Sequence, residues 1–149
     1  DSLDVAVLGA TEIDTSFNIN VHTDSNGSIM GGSGGHSDAA AGSKLALIAA
    51  PLFRGRLPIV RDRVTCISTP GQDVDVLVTQ AGVAVNPKNT ELHDRLREAG
   101  IKLVDINELK ALAERTSGVP KKPALGDRIV ANVIYRDGTV IDTIKQVAD

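Results

Sequence analysis

The apolar residues of this chain change their spacing twice, and that ordering restricts the fold more than any single residue does. Before about Asn86 they come in short runs bounded by turn residues, too short for helices. "VAVLGA" (Val5 to Ala10) is nearly continuous and ends in small residues, the pattern of a strand covered on both faces. "EIDTSFNINVH" alternates around "DTS" and predicts a hairpin or a bent strand pair. "SDAAAG" predicts a short helix capped by Ser37 or Asp38, followed by the strand "KLALIAA", which stops at Pro51. "LPIV", "VTCIST", "VDVLVT" and "VAVN" read as four more strands, separated by "RDR", "PGQD" and "QAG".

The period then becomes helical. "NTELHDRLREAG" places Leu92, Leu96 and Ala99 on one face, with Asn89 or Thr90 as cap and Gly100 as stop. From Asp105 to Gly118 the pattern repeats, with Ile106, Leu109 and Leu112 turned inward. Alternation returns in "RIVANVIYRDGTVIDTIKQV", a hairpin turning at Asp137-Gly138. Strands first and helices later predict an α/β protein with a mixed sheet.

At 149 residues, 42% hydrophobic and 23% charged, the chain fits a single globular domain. Its core is aliphatic, since there are two Phe, one Tyr and no Trp. With that few aromatics and a formal net charge of -3, nucleic-acid binding is not expected. The single cysteine, Cys66, excludes an internal disulfide and reads as a buried structural thiol in a reducing compartment. No apolar run reaches the roughly 18 residues needed to span a bilayer, and no signal segment opens the chain, so the expected location is the cytoplasm. The sequence enters a strand pattern at once and without Met, which suggests a piece of a longer polypeptide.

The stretch "NGSIMGGSGGHSD" (Asn26 to Asp38) holds five glycines. Such bareness marks positive φ angles or a partner that must approach the main chain closely. Gly31-Gly32-Ser33-Gly34-Gly35 satisfies G-x-S-x-G, the nucleophile elbow of serine hydrolases. That chemistry also needs an acid and then a histidine on a loop further along. Only His36 and His93 follow Ser33; His36 is too near in sequence, and His93 falls on a predicted helix. The Lys-Ser/Thr pair of a phosphate loop is missing, and the spacing of G-x-G-x-x-G fails. Two readings remain: consecutive unhindered amides, backed by a helix N-terminus, that surround an anion or developing oxyanion, or a tight crossover in a crowded core. His22, Asp24, His36 and Asp38 match no recognised metal-ligand spacing, and no metal is expected.

Beyond these readings, the run from "DVAVLGATEIDTSFNINVH" through "GGSGGHSD" to "VTQAGVAVNP" resembles the C-terminal part of the citrate lyase α subunit family, which is a citrate CoA-transferase family. The likeness continues through both helical blocks to the closing hairpin and covers essentially all 149 residues. More broadly, "LGATEID", "NINV" and "GGSGG" resemble the second half of family I CoA-transferases.

The resemblance implies a three-layer α/β/α CoA-transferase-like domain over residues 1–149, with a mixed, mostly parallel sheet and a C-terminal hairpin, forming the C-terminal half of a two-domain subunit. It implies an enzyme that exchanges acetate for citrate on the thioester of an acyl carrier protein, giving citryl carrier protein. The implied partners are the acyl carrier (γ) and citryl lyase (β) subunits in an oligomer. No cofactor is expected to be tightly bound; the thioester belongs to CoA or to a CoA-derived group on the carrier.

Family enzymes work through a glutamate that attacks the thioester. Its motif lies upstream of the opening strand, so this polypeptide by itself should be half of an enzyme. Glu12 reads as structural or site-bordering. By the same resemblance, Gly34 and Gly35 supply main-chain oxyanion donors, and Gly31, Gly32 and Ser33 shape the loop. His36 and Asp38 are substrate-binding candidates facing citrate, although Asp38 serves equally as a helix cap. Arg54, Arg56, Arg61 and Arg63 are candidates for citrate or carrier contacts and read individually as surface cations.

Overall fold

A computed structural model describes residues 3–148. The opening strand β1 (Leu3–Leu8) runs parallel to β4 (Ser43–Ala49), which runs parallel to β8 (Val76–Thr79). The strand β9 (Gly82–Val85) closes the order β1-β4-β8-β9 as an antiparallel edge. The result is a mixed α/β fold whose main sheet is mostly parallel.

A second, smaller sheet is built from β2 (Glu12–Asp14), β3 (Ile19–Asn20) and β7 (Val60–Arg61), in the order β3-β2-β7. The short strands β5 (Phe53–Arg54) and β6 (Leu57–Pro58) pair in a hairpin between β4 and β7. The turn joining β2 to β3 is clamped by Asp14, whose Oδ1 accepts from the main-chain N–H groups of Ser16 and Asn18. Phe17 sits in that turn at φ 63, a left-handed conformation costing on the order of 1–2 kcal/mol, which its complete burial offsets. Gly71 begins a one-turn 3-10 helix (Gly71–Asp73) where a Cβ would lie 1.9 Å from the Ser16 carbonyl oxygen, so no larger residue fits there.

The core forms where the inner face of the main sheet, through Ile48, Leu77 and Ala84, meets Ile13, Phe17 and Ile19 of the small sheet and its turn. The helix α3 (Ile106–Ser117) adds Ile106, Leu109 and Ala113 to the same cluster. Leu112, expected inward, is exposed, and the next residue, Ala113, is buried instead. The inward face of α3 therefore runs through 106, 109 and 113, a stripe of period near 3.6. The helix α2 (Thr90–Glu98) is capped by Asn89, whose side chain accepts from Leu92 N–H, but it buries no residue fully. Leu92 and Leu96 are half-covered and Ala99 is exposed.

Two other expectations are corrected. The helix α1 (His36–Ala41) begins at His36 with Gly35 as N-cap, and no side chain caps it; Ser37 and Asp38 lie inside its first turn. The run "VTCIST" is not a strand. Its N–H groups go to side chains and to β3: Thr65 N–H donates to Glu12, Ile67 N–H to Asp142 and Ser68 N–H to Ile19 O. A β-branched run imitates a strand in sequence, but here the ladder bonds are replaced by carboxylates.

The closing hairpin is formed by β10 (Leu125–Ile134) and β11 (Val140–Val147). It seats Val133 and Ile144 on Cys66, which is buried as expected. Burial pushes the Cys66 thiol up to about 12, reinforced by the charges of Asp142 and Glu12, so it stays protonated and unreactive. No helix among the described residues is long and apolar enough to cross a membrane.

The strand β1 departs from the expectation of cover on both faces. Ala6 points into the protein, but Leu3, Val5 and Val7, which share the opposite face by the two-residue repeat, are 51%, 51% and 65% exposed.

Candidate functional site

The site is assembled on a buried polar frame at the ends of β1 and β2. Glu12 is fully buried. Its Oε1 accepts from the Arg61 guanidinium at 2.9 Å and from Thr65 Oγ1 at 3.2 Å. Its Oε2 accepts from Asn20 Nδ2 at 2.9 Å and Thr65 N–H at 2.8 Å. Asn20 carries the frame onward: Nδ2 also donates to Thr23 Oγ1 at 2.9 Å, while Oδ1 accepts from the N–H groups of His22 and Thr23 at 3.0 and 3.1 Å. No buried side-chain nitrogen or oxygen among the described residues is left without a partner.

From this frame a turn at Asp24 to Ser28 leads into the glycine loop. Asp24 Oδ1 accepts from Asn26 and Ser28 N–H, and Met30 N–H donates to His22 O at 2.8 Å. The loop then runs exposed from Gly31 to Gly35, with Ser33 half-covered. Among the described residues, none of the five main-chain N–H groups from Gly31 to Gly35 donates to another protein group.

Only Gly34 has a positive φ, 55°, and a Cβ built on Gly31, Gly32, Gly34 or Gly35 would meet nothing within 4 Å. The crossover reading required crowding, and there is none. Packing within this chain does not demand these glycines; what they leave open is access to the amides.

Each end of the loop is held by an imidazole. His36 Nε2 lies 2.8 Å from Gly9 O, at the end of β1, and Nδ1 lies 2.8 Å from Thr69 Oγ1. The carbonyl can only accept, so Nε2 carries a proton and both ring nitrogens are engaged within the protein. His22 Nδ1 lies 2.5 Å from Ser68 Oγ, which also accepts from Val21 N–H. Burial lowers both histidine pKa values. His36 adds repulsion at His22, while its own bond to Gly9 partly counters the effect at His36.

The serine-hydrolase arrangement is absent, because His36 is committed to Gly9 and Thr69 and cannot act as base for Ser33. Asp38 is exposed, with no side-chain bond among the described residues. The four arginines are dispersed. Arg61 is buried on Glu12, Arg54 reaches Ala10 O at 3.3 Å, Arg56 is exposed, and Arg63 opens onto a separate cleft. No group of three or more His, Cys, Asp or Glu among the described residues is placed to hold a metal ion.

Sequence reasoning weighed His22 only as a metal ligand and assigned no role to the side chains of Asn20, Ser68 and Thr69. Asn20 stood in the quoted "NINV" and its partners Glu12, His22 and Thr23 are near it in sequence, but no recognised motif joins them. A cleft of about 450 Å³ beside α2 shares no residue with the loop, and its Asn89 and Asp105 are occupied capping α2 and α3.

An α/β scaffold that carries bare amides on a glycine loop is suited to surround an anion or a developing oxyanion. The chain belongs to the citrate lyase α subunit family: residues 1–147 match the family described as "Citrate lyase, alpha subunit (CitF)". It is 54% identical to the citrate lyase alpha chain of Klebsiella pneumoniae over 147 residues, covering 99% of this chain and 29% of that one. It is 53% identical to the Escherichia coli K12 citrate lyase alpha chain over 149 residues, covering 100% of this chain and 29% of that one. Among solved structures, the α subunit of citrate lyase from Streptococcus mutans in complex with citrate superposes with a TM-score of 0.95 at 44% identity. That match covers 99% of this chain and 29% of that one. The chain therefore spans about three tenths of the length of its relatives.

Proposed function

We propose that the full-length protein is the citrate CoA-transferase subunit of citrate lyase, which exchanges acetate for citrate on an acyl carrier protein thioester. Residues 1–149 form one domain of it, in the C-terminal part of a three-layer subunit of which they make up about three tenths. The single observation that carries this reading is the row of five amides from Gly31 to Gly35 that have no protein partner among the described residues, on a loop whose four glycines would each meet nothing within 4 Å if given a Cβ.

In this reading Gly34 and Gly35 donate to the thioester oxygen as charge builds on it, with Gly31, Gly32 and Ser33 holding the loop in shape. Asp38 and the rim of the loop face citrate. His36 contributes by fixing the loop, since both of its ring nitrogens are already bonded. Complete burial and four donors argue against Glu12 as the attacking group, which supports a nucleophilic glutamate in another part of the subunit. The acyl carrier and citryl lyase subunits are its partners in a cytoplasmic complex.

The test is an exchange assay on the full-length protein with citrate and acetyl-CoA as surrogate donor. Formation of a citryl thioester is expected, and Gly35→Val should lower kcat by about 10²- to 10³-fold. Gly35 lies at φ -90 and a Cβ there meets nothing, so the melting temperature should move little. A binding or assembly domain without chemistry predicts no exchange at all. A valine variant that exchanges at the parent rate would remove the loop from the mechanism.

A further inference from the structure

Ser68 and Thr69 are consecutive and buried, and each hydroxyl lies against one of the two imidazoles at the ends of the glycine loop. Ser68 Oγ already accepts from Val21 N–H at 3.0 Å, so its proton needs an acceptor, and among the described residues only His22 Nδ1 offers one. That bond fixes the ring, with Nδ1 bare and the proton on Nε2. Thr69 does the same to His36, whose Nε2–H is then taken up by Gly9 O. Neighbouring hydroxyls thus hold both rings in one tautomer, but only in His36 is the outer N–H used. His22 Nε2 has no protein partner among the described residues. Since every buried side-chain nitrogen and oxygen among those residues is partnered, this atom reaches solvent.

The ring stands beside the base of the loop. The main-chain carbonyl of His22 accepts from Met30 N–H, one residue before Gly31, and the two rings are close enough for charge on one to oppose charge on the other. Burial, with that repulsion, holds His22 below its ordinary pKa of 6.5, so near neutral pH it is an uncharged ring with one N–H to give. The nearest acid in sequence, Asp24, has its Oδ1 taken by the N–H groups of Asn26 and Ser28. A free N–H of this kind is best matched by an oxygen that carries charge.

We propose that His22 is a specificity-determining residue, whose Nε2–H, held in that tautomer by Ser68, donates to a carboxylate that citrate carries and acetate does not. Acetate has one carboxylate, and it is the one that enters the thioester; citrate brings two more, and each needs a donor when it leaves water. The identity of the two acids rests on the transferase reading above; the free N–H rests on the Ser68 bond alone.

Two substitutions divide the ring into its halves. His22→Asn keeps an acceptor for Ser68 but has nothing at the Nε2 position, while His22→Gln keeps an N–H there and gives up the Ser68 bond. In the full-length protein, KM is measured for citrate and for isotopically labelled acetate, each with acetyl-CoA. His22→Asn should raise KM for citrate about tenfold more than KM for acetate, the value of one bond to a charged group, and His22→Gln should recover most of that difference. A purely structural ring predicts the reverse order, since only asparagine preserves the Ser68 contact. That order, or an equal rise for both acids in His22→Asn, overturns the proposal. Calorimetric titration with citrate separates this outcome from a failure of the transferase reading. If the parent gives no exchange but binds citrate, and His22→Asn raises Kd about tenfold, the transferase reading falls and the role of His22 stands. A citrate Kd unchanged in His22→Asn removes His22 alone, and a parent that binds no citrate at millimolar concentration removes it as well.

Discussion

Glu12 decides what can and cannot be moved in this site. Its carboxylate gains four donors, and the paired Arg61 is 6% exposed, so neither charge has water to fall back on. In Glu12→Gln, Arg61 would be left buried and uncompensated, and an amide N–H would face donors. The expected loss is about 3–5 kcal/mol, read by denaturant unfolding of the full-length protein. In the double variant Glu12→Leu with Arg61→Met the loss should be smaller than the sum of the singles, because the stranded charge disappears with its partner. A Glu12→Gln variant as stable as the parent would mean the pair is not the frame described here. A structural or site-bordering Glu12 was legible in "TEID" at a strand end. The partners were not, because Arg61 and Thr65 lie 49 and 53 residues away, and sequence alone carries no distance.

The glycine loop behaves as an element with two fasteners, and both are histidines. His22 and His36 have folded pKa values below the ordinary 6.5, chiefly because of burial. The unfolded chain therefore takes up protons first as the pH falls. The stability these groups provide is complete above about 6.5 and drains away as the pH drops through their folded values. Asp62 and Asp137 are lowered from 3.8, so their contribution is lost only in stronger acid. Melting temperatures measured from pH 7.5 to 5 should decline in the parent, and the decline should flatten in His36→Gln, which lacks the titrating ring. Equal slopes in the two proteins would free the loop from that fastener. The bareness of the loop was plain in the sequence, but its attachment was hidden, since Ser68 and Thr69 belong to a run that reads as a strand. They are 46 and 33 residues from the histidines they hold.

At the scale of the whole molecule, most of the strands, both longer helices and the Asp137-Gly138 hairpin follow from spacing and turn residues, because those signals are local. The outer face of the main sheet could not be read that way. A continuous apolar run such as "VAVLGA" signals cover on both sides, but it does not say which chain segment provides it. Here Ala6 is covered from within while Leu3, Val5 and Val7 face outward, more exposed than buried. Exposed apolar side chains grouped on one face mark a contact surface, and a third layer of the proposed subunit is the occupant tested here. The chain spans 29% of its relatives, which leaves ample sequence for that layer in the full-length protein. The expectation is an asymmetry between the two forms. Val5→Asp with Val7→Asp should cost the full-length protein about 3 kcal/mol or more, the loss of two valines from an apolar contact. The 149-residue chain alone should be little changed in melting temperature and should bind less of a hydrophobic dye. If the double substitution leaves the full-length protein as stable as the parent, the face is solvent-exposed there too, and the third layer proposed for this subunit does not lie against β1.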